Sequence, residues 1–259
     1  MSRGFTLIEL ITVLVVFSIV AAMGSSYVVT SITAYNQAAE RNKLVSRSRA
    51  VVERITRQIR IALPYSIRIS ASGQCLEFMQ LSGGANYQAI LPDSNNGAPA
   101  ITAIATAPFS LSLGAAASVA VGAMADVEVY STSASASRAS IASVNGNPIT
   151  QINLTSPHRF IRNSINSRVY VLDNPERFCV TSNQLWHYSN YGLNTGVLSD
   201  ANPGGNSALM SDDVFSGSPT FSLSPATESR NTIVDIEFSM TRGDETLRVS
   251  HQVQIRNVP

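Results

Sequence analysis

One carboxylate lies inside the longest apolar segment of the sequence. From Phe5 to Val29 the chain is almost continuously apolar, and Glu9, near the start, is the only charged residue of this segment. An ionised carboxylate in hydrocarbon costs roughly 2.5–3.5 kcal/mol on membrane-insertion scales. A nearby amine offsets part of that cost, whereas either charge left alone is penalised. A carboxylate so early in an apolar run therefore needs a physical explanation.

Two general kinds of N-terminal segment could contain this run. A secretory signal peptide needs a basic start and a small-residue cleavage site, which Arg3 and the Ala21-Ala22 region resemble, but the run is long and Glu9 interrupts its start. A plain membrane anchor also fits, because Phe5–Val29 would extend about 37 Å as a helix and span a bilayer of ~30 Å. Arg3 then favours a cytoplasmic N-terminus, and Glu9 could reach toward the interface.

The first residues of the run favour a third kind of segment. The stretch Gly4-Phe5-Thr6-Leu7-Ile8-Glu9 resembles the class III signal of type IV pilins and pseudopilins. The resemblance implies that a prepilin peptidase cuts after Gly4, that the new N-terminal Phe5 is N-methylated, and that Glu9 pairs with the Phe5 amine of an adjacent subunit. A free α-amino group is largely cationic near neutral pH, so cleavage would create the cation that Glu9 lacks.

A helical pattern continues beyond the apolar run. Residues 40–60 contain seven basic and two acidic residues, a net charge of +5, on the faces around one apolar stripe. The stripe is predicted to consist of Val45, Ser48, Val52, Ile55, Ile59 and Ala62. Pro64 ends the pattern. The predicted organisation is a leader at 1–4, one helix at 5–63 (5–29 in the membrane or filament core, 30–63 amphipathic), and a periplasmic or extracellular head at 64–259.

The head is predicted to be rich in strands, because apolar and polar residues alternate after Pro64. Strands are expected around Ser66–Ser70, Gln74–Met79, Val127–Tyr130, Arg168–Val171, Arg177–Thr181, Gln184–Tyr188, Val234–Met240 and Leu247–Ile255. Turns are expected at Asp173–Glu176 and at Thr241–Glu245, the second closing a hairpin. Residues 97–146 and 199–230 are predicted to be loops or insertions. The predicted fold class is α+β and type IV pilin-like: a long N-terminal helix packed on an antiparallel sheet, with large loop insertions.

The two cysteines, Cys75 and Cys179, form no metal-binding motif, and each lies in a predicted strand. An exported head would lie in the periplasm, where disulfides persist, so we predict a Cys75–Cys179 bridge. It would close a loop of about 100 residues, for which the chain-entropy model gives roughly 4–5 kcal/mol as an upper figure. Two free, buried thiols are the alternative.

Composition and motifs indicate no catalytic chemistry. The net charge of +1 implies no polyelectrolyte partner, and the three histidines lie far apart in sequence. The sequence contains no phosphate-binding loop, zinc-peptidase motif or EF-hand pattern, and no nucleophile–base arrangement is visible. The basic stretch 40–60 could attract nucleic acid, but it should pack in the filament or on the sheet. We therefore expect no enzyme, no metal, no cofactor and no nucleic-acid partner.

Several patterns along the chain resemble one group of minor pilins, the O-type subunits of mannose-sensitive haemagglutinin (MSHA) pili. They are Arg49–Arg54, Arg60–Arg68, Gln74–Phe78, Phe178–Val180 and Leu185–Tyr188. The resemblance implies a low-abundance subunit that helps to start or cap a pilus used for surface attachment. J-type pseudopilins of type II secretion systems share the long-helix plan and are an alternative, as is a tip adhesin.

The resemblance also implies partners and a location. The partners are the prepilin peptidase, other minor and major pilins, the inner membrane before assembly, and a surface or glycan ligand. The location is the bacterial inner membrane, as a single-pass segment with a cytoplasmic N-terminus before assembly, and the pilus or extracellular space afterwards.

Overall fold

The N-terminal helix is a single element that projects from the head. In the computed structural model, which describes residues 5–112, 114–215, 219–225 and 230–256, helix α1 runs from Leu7 to Arg60. A short 3-10 turn, Pro64–Ser66, follows it. Every residue from Phe5 to Ala38 is exposed, and α1 begins to bury one face at Leu44. The long helix predicted from the sequence is confirmed; the predicted leader, residues 1–4, lies outside the described residues.

The buried face of α1 differs slightly from the predicted stripe. It consists of Leu44, Ser48, Val51, Ile55, Thr56 and Ile59. Val45 and Val52 lie at its edge instead, half-buried. The pairs Leu44-Val45 and Val51-Val52 place two apolar residues about 100° apart on the helix, so the pattern alone could not decide which of each pair faces the sheet. The docking of the head decides it.

The head contains thirteen strands and one short helix within the described residues. The strands are β1 (Arg68–Ile69), β2 (Cys75–Asn86), β3 (Ile101–Phe109), β4 (Ser118–Ala120), β5 (Arg138–Gly146), β6 (Ile149–His158), β7 (Arg168–Thr181), β8 (Gln184–Ser189), β9 (Asn206–Ser211), β10 (Val214–Phe215), β11 (Phe221–Ser224), β12 (Thr232–Arg242) and β13 (Glu245–Ile255), and the short helix is α2 (Asp126–Val129).

These strands form two antiparallel sheets. The nine-stranded sheet has the order β1-β2-β7-β4-β5-β6-β3, with β8 beside β7 and β9 beside β8. In the four-stranded sheet, β10 and β11 pair with successive parts of one edge of β12, and β13 pairs with its other edge. The predicted α+β, pilin-like architecture of a long helix on antiparallel sheets is confirmed.

One core joins α1 to both sheets. Ile55 and Ile59 of the helix contact the same buried cluster as Phe78 and Phe178 of the large sheet and Ile236 of the small one. The rings of Phe78 and Phe178 stack with centroids 5.6 Å apart. Each buried aliphatic or aromatic side chain contributes roughly 1.5–3 kcal/mol, so the C-terminal half of α1 is held firmly on the head.

The far part of the large sheet curls into a second lobe with its own core. An isolated bridge between Tyr87 and Thr106 brings β3 back toward the end of β2. The lobe buries Ile104, Val119, Ile152, Phe160, Val169 and Val171. The expectation that residues 97–146 are loops is therefore wrong, because β3, β4 and β5 lie within them; likewise 199–230 contains β9, β10 and β11. Small Ala and Ser side chains hide the strand signal, since few large apolar residues mark the buried face.

Two further local predictions are wrong. Val127–Tyr130 belongs mainly to the helical turn α2 rather than to a strand, because a four-residue alternation does not distinguish the two. Asp173–Glu176 lies inside β7 rather than in a turn. The ladder between β2 and β7 shifts register between Met79 and Leu81, and such an irregularity accommodates Pro175 within a strand.

The C-terminal hairpin is confirmed. Arg242 pairs with Glu245 across a two-residue turn, and Gly243 has a positive φ of 59°, as the first central position of a type II′ turn requires. Arg242 Nε also lies 2.5 Å from Glu40 Oε2 of α1, which ties the turn to the helix.

Candidate functional site

The N-terminal site is built by the first turn of α1. Phe5 precedes the helix and is 75% exposed. Thr6 is the N-cap, and its hydroxyl accepts a hydrogen bond from the Glu9 backbone N–H at 3.4 Å. Thr6-Leu7-Ile8-Glu9 thus has the spacing of a capping box. Sequence reasoning missed the role of Thr6, although this four-residue pattern could have revealed it.

The position of Glu9 favours a negative charge. Glu9 lies in the first turn of α1, where the helix macrodipole places partial positive charge. The side chain is exposed, and no ion-pair partner for it occurs in the part of the chain that the structure describes. Its carboxylate is thus open to a cation from another molecule. Gly4, the predicted residue before the cleaved bond, lies outside the described residues, so cleavage, methylation of Phe5 and pairing by Glu9 stay predictions.

The exposed part of α1 is a continuous apolar surface. The large side chains from Phe5 to Val29 are each about half or more exposed, with Leu7 at 77% and Phe17 at 70%. The helix is long and apolar enough to cross a membrane. Soluble monomers rarely expose an apolar surface of this size, so lipid or neighbouring helices must cover it.

A second cluster of unusual side chains lies in the head, on the strand pair β2–β7. Cys75 and Cys179 face each other in the ladder and are joined by a disulfide. Two residues further along, Glu77 faces Arg177 in the same ladder. Because side chains alternate along a strand, the disulfide and this ion pair lie on one face of the sheet. Leu76 and Phe178 lie on the other face, in the core with α1.

Glu77 is the centre of a buried ionic group, here called the Glu77 cluster (Arg68, Glu77, Arg177 and Tyr191). Its Oε1 atom accepts hydrogen bonds from Arg177 Nη2 at 2.9 Å and from the Tyr191 hydroxyl at 2.8 Å. Its Oε2 atom accepts one from Arg68 Nε at 2.6 Å. Burial, followed by the neighbouring Glu77 carboxylate, raises the pKa of Tyr191 well above its ordinary value, so its phenol remains a donor.

The two arginines also bind the segment between β8 and β9. Arg68 donates to the carbonyls of Asn194 and Gly196 at 2.7 and 2.9 Å. Arg177 donates to the carbonyls of Ser199 and Ala201 at 3.3 and 3.1 Å. One buried carboxylate therefore positions two guanidinium groups that hold segment 190–205 over the disulfide. Sequence reasoning missed this role; the only signal was a charged residue within each of three predicted strands, namely Arg68, Glu77 and Arg177.

Loss of the disulfide should weaken the head. Replacing Cys75 and Cys179 together by serine is expected to lower the free energy of unfolding by about 2–5 kcal/mol, because the unfolded chain gains the freedom of a long loop. The measurement is urea unfolding of the full chain in detergent, followed by tryptophan fluorescence. Reductant added to the unsubstituted protein should reproduce the shift, and an unchanged midpoint in both samples would contradict the expectation.

The comparison with known proteins identifies the N-terminal segment. Residues 1–25 match the family model of the prokaryotic N-terminal methylation motif. The chain carries a prepilin-type signal. Together with the helix-on-sheet architecture, this match supports a type IV pilin-like protein, anchored in the membrane by α1 and later part of a pilus. The signal implies processing by a prepilin peptidase and assembly with other pilins. No curated protein and no solved structure matches the chain.

Proposed function

We propose that this protein is a minor pilin of an MSHA-like type IV pilus, a structural subunit that helps to start or cap the filament and supports surface attachment. The observation that carries the proposal is the combination of an exposed apolar helix, whose first-turn Glu9 has no ion-pair partner among the described residues, and a large disulfide-bonded head. The patterns that resemble O-type minor pilins lie mainly on the last turns of α1 and on β2, β7 and β8.

The proposed assembly step uses the chain's own N-terminus. Cleavage of the Gly4–Phe5 bond frees an α-amine on Phe5, which is then methylated and stays cationic near neutral pH. As the cleaved subunit leaves the membrane, its Phe5 ammonium group pairs with Glu9 of a neighbouring subunit. That Glu9 is held in the first turn of the neighbour's helix. The charge pair offsets part of the desolvation of both groups, so a subunit in the filament is favoured over one left alone in lipid.

The mass of the mature protein tests the proposal. We expect the chain isolated from its host to begin at Phe5 and to carry one additional methyl group. Intact-mass spectrometry distinguishes this product from the full chain of 27.7 kDa and from a secretory product. A mature chain that begins after Ala22 would contradict the proposal, and a Gly4→Val variant, expected to remain uncut, serves as the control for peptidase dependence.

A tip adhesin is a second candidate, favoured by one surface of the head. Segment 190–205 and α2 flank a cleft of about 420 Å³ whose lining includes Val127, Tyr130 and Val197. Val127 and Val197 are 70% and 89% exposed, and exposed apolar residues beside a cleft suit a binding surface. A deletion strain separates the roles: loss of pili indicates assembly, whereas normal pili with lost attachment indicate adhesion. Loss of type II secretion with pili intact would instead favour a J-type pseudopilin.

A further inference from the structure

The outer edge of β13 is long and regular. The ladder between β12 and β13 runs without a shift from Arg242–Glu245 to Thr232–Ile255, and β13 pairs with no other described strand. Arg242 and Glu245 flank a two-residue turn and so form a hydrogen-bonded pair. Backbone groups alternate in direction along the strand. The N–H and C=O groups that point away from β12 therefore belong to Thr246, Arg248, Ser250, Gln252 and Gln254.

This edge has little of the usual protection against pairing with another chain. Proteins commonly shorten edge strands, bulge them, or place proline or charged side chains, especially lysine, on them. β13 has eleven residues, no bulge, no proline and no lysine, and its charged side chains are Glu245 at its start and Arg248. By contrast, the edge strand β1 has two residues, and β3 carries Pro108 and register shifts against β6. The free edge of β13 is therefore the best template for strand addition in the described head.

A groove runs beside this edge, between β13 and α1. It has a volume of about 510 Å³. Val52 of the helix and Val249 of β13 are half-buried there and supply apolar contact. Arg49 and Arg60 also line the groove, and neither has an ion-pair partner within the described ranges. Glu53 is the one acidic residue of this lining, so the groove favours an occupant with apolar side chains and a carboxylate.

We propose that an extended segment from the head of a neighbouring pilin-like subunit adds to the outer edge of β13 as a further strand. Alternate apolar side chains of that segment lie over Val52 and Val249, and a carboxylate lies against Arg49 or Arg60. Main-chain hydrogen bonds supply affinity and the groove supplies specificity, as in other cases of strand addition. The proposal rests on the proposed function, because it assumes assembly with other pilins.

A different subunit fits this edge better than a second copy paired through β13 about a two-fold axis. Such an antiparallel pair would reverse the strand direction between the copies. Because α1 is packed rigidly on the same sheet through Ile55 and Ile59, the two helices would also point in opposite directions. Both apolar N-terminal halves must lie in the same membrane before assembly, so this symmetric pair is incompatible with anchoring.

Amide hydrogen exchange on the unsubstituted protein tests the proposal. The full chain is compared in detergent, as a monomer, and in purified pili. We expect the outward amides between Thr246 and Gln254 to exchange about tenfold more slowly, or slower still, in pili, because new hydrogen bonds protect them. If the subunit is present in pili and these amides exchange at the monomer rate, strand addition is wrong while the proposed function stands. If the subunit is absent from pili, both strand addition and the proposed function are wrong.

Two variants at one position give a matched comparison. Ser250→Pro removes an outward N–H but no hydrogen bond to β12, whereas Ser250→Ala keeps that N–H. We expect the proline variant to enter pili about tenfold less than the alanine variant, with similar thermal unfolding in detergent; equal entry would overturn the proposal.

A photo-crosslinker at Gln252 identifies the neighbour without depending on how the proline variant folds. We expect adducts with an extended segment of another subunit that has a prepilin-type signal. Adducts only with a second copy of this chain would overturn the choice of partner.

Discussion

Replacing Glu9 by glutamine is expected to leave cleavage and methylation intact and to reduce entry of the subunit into pili by about tenfold or more. The expected size follows from the cost of an uncompensated charge. Glutamine keeps the shape of Glu9 but removes the negative charge, so the Phe5 amine of the neighbouring subunit would enter an apolar helix bundle unpaired. A buried ion that loses its partner costs several kcal/mol, and each 1.4 kcal/mol is about a factor of ten.

The measurement has two parts, because processing and assembly must be separated. Intact mass of the membrane fraction reports cleavage and methylation, and quantitative immunoblotting of sheared pili reports entry. Ser18→Ala is a matched control on the same exposed part of α1, since the Ser18 hydroxyl bonds only to the Val15 carbonyl of its own helix among described residues. Glu9→Ala should behave as Glu9→Gln does. If both Glu9 variants enter pili normally, the charge pair does not drive assembly.

Replacing Glu77 by glutamine is expected to destabilise the head by about 3–5 kcal/mol, the range measured when one partner of a buried ion pair is removed. Glu77 is fully buried, and it receives hydrogen bonds from Arg68, Arg177 and Tyr191. Glutamine has nearly the same volume, so the loss would reflect charge rather than a cavity. Two guanidinium groups would remain in the interior without a counter-charge, since their other acceptors are backbone carbonyls.

Urea unfolding of the full chain in detergent, with the disulfide intact, measures this change. Glu237→Gln is the control, because Glu237 is exposed and lies 3.5 Å from Arg248; exposed pairs contribute about 0–1 kcal/mol. The Glu77 variant should also be cut faster by protease within segment 190–205, which the two arginines hold. If the two variants unfold at the same urea concentration, the Glu77 cluster does not stabilise the head.

Features that depend on neighbouring residues were predictable from the sequence. The helix signal extends without a break to Pro64, and the observed α1 ends at Arg60. The hairpin of β12 and β13 follows from alternation around Gly243, because a two-residue turn and its flanking strands are set locally. Strand β4 was missed because it pairs with β7, about fifty residues later in the chain. Strand β5 was missed although its hairpin with β6 is local. Small side chains leave too weak a periodicity to show which face is buried.

The sequence by itself determined the N-terminal signal, whose residues 1–25 match the N-terminal methylation motif, while cleavage and the Glu9 charge pair stay predictions. Glu9 and the Gly4–Phe5 bond lie within six residues of one another, and their relation depends on chain order and helical spacing alone. Only the tertiary structure decided the role of Glu77, because Arg68, Arg177 and Tyr191 come from 9, 100 and 114 residues away. It also decided which strand edge stays open. A charge in a strand becomes the centre of an ionic cluster only when the sheet and the segment above it exclude water, and sequence patterns carry no record of that packing.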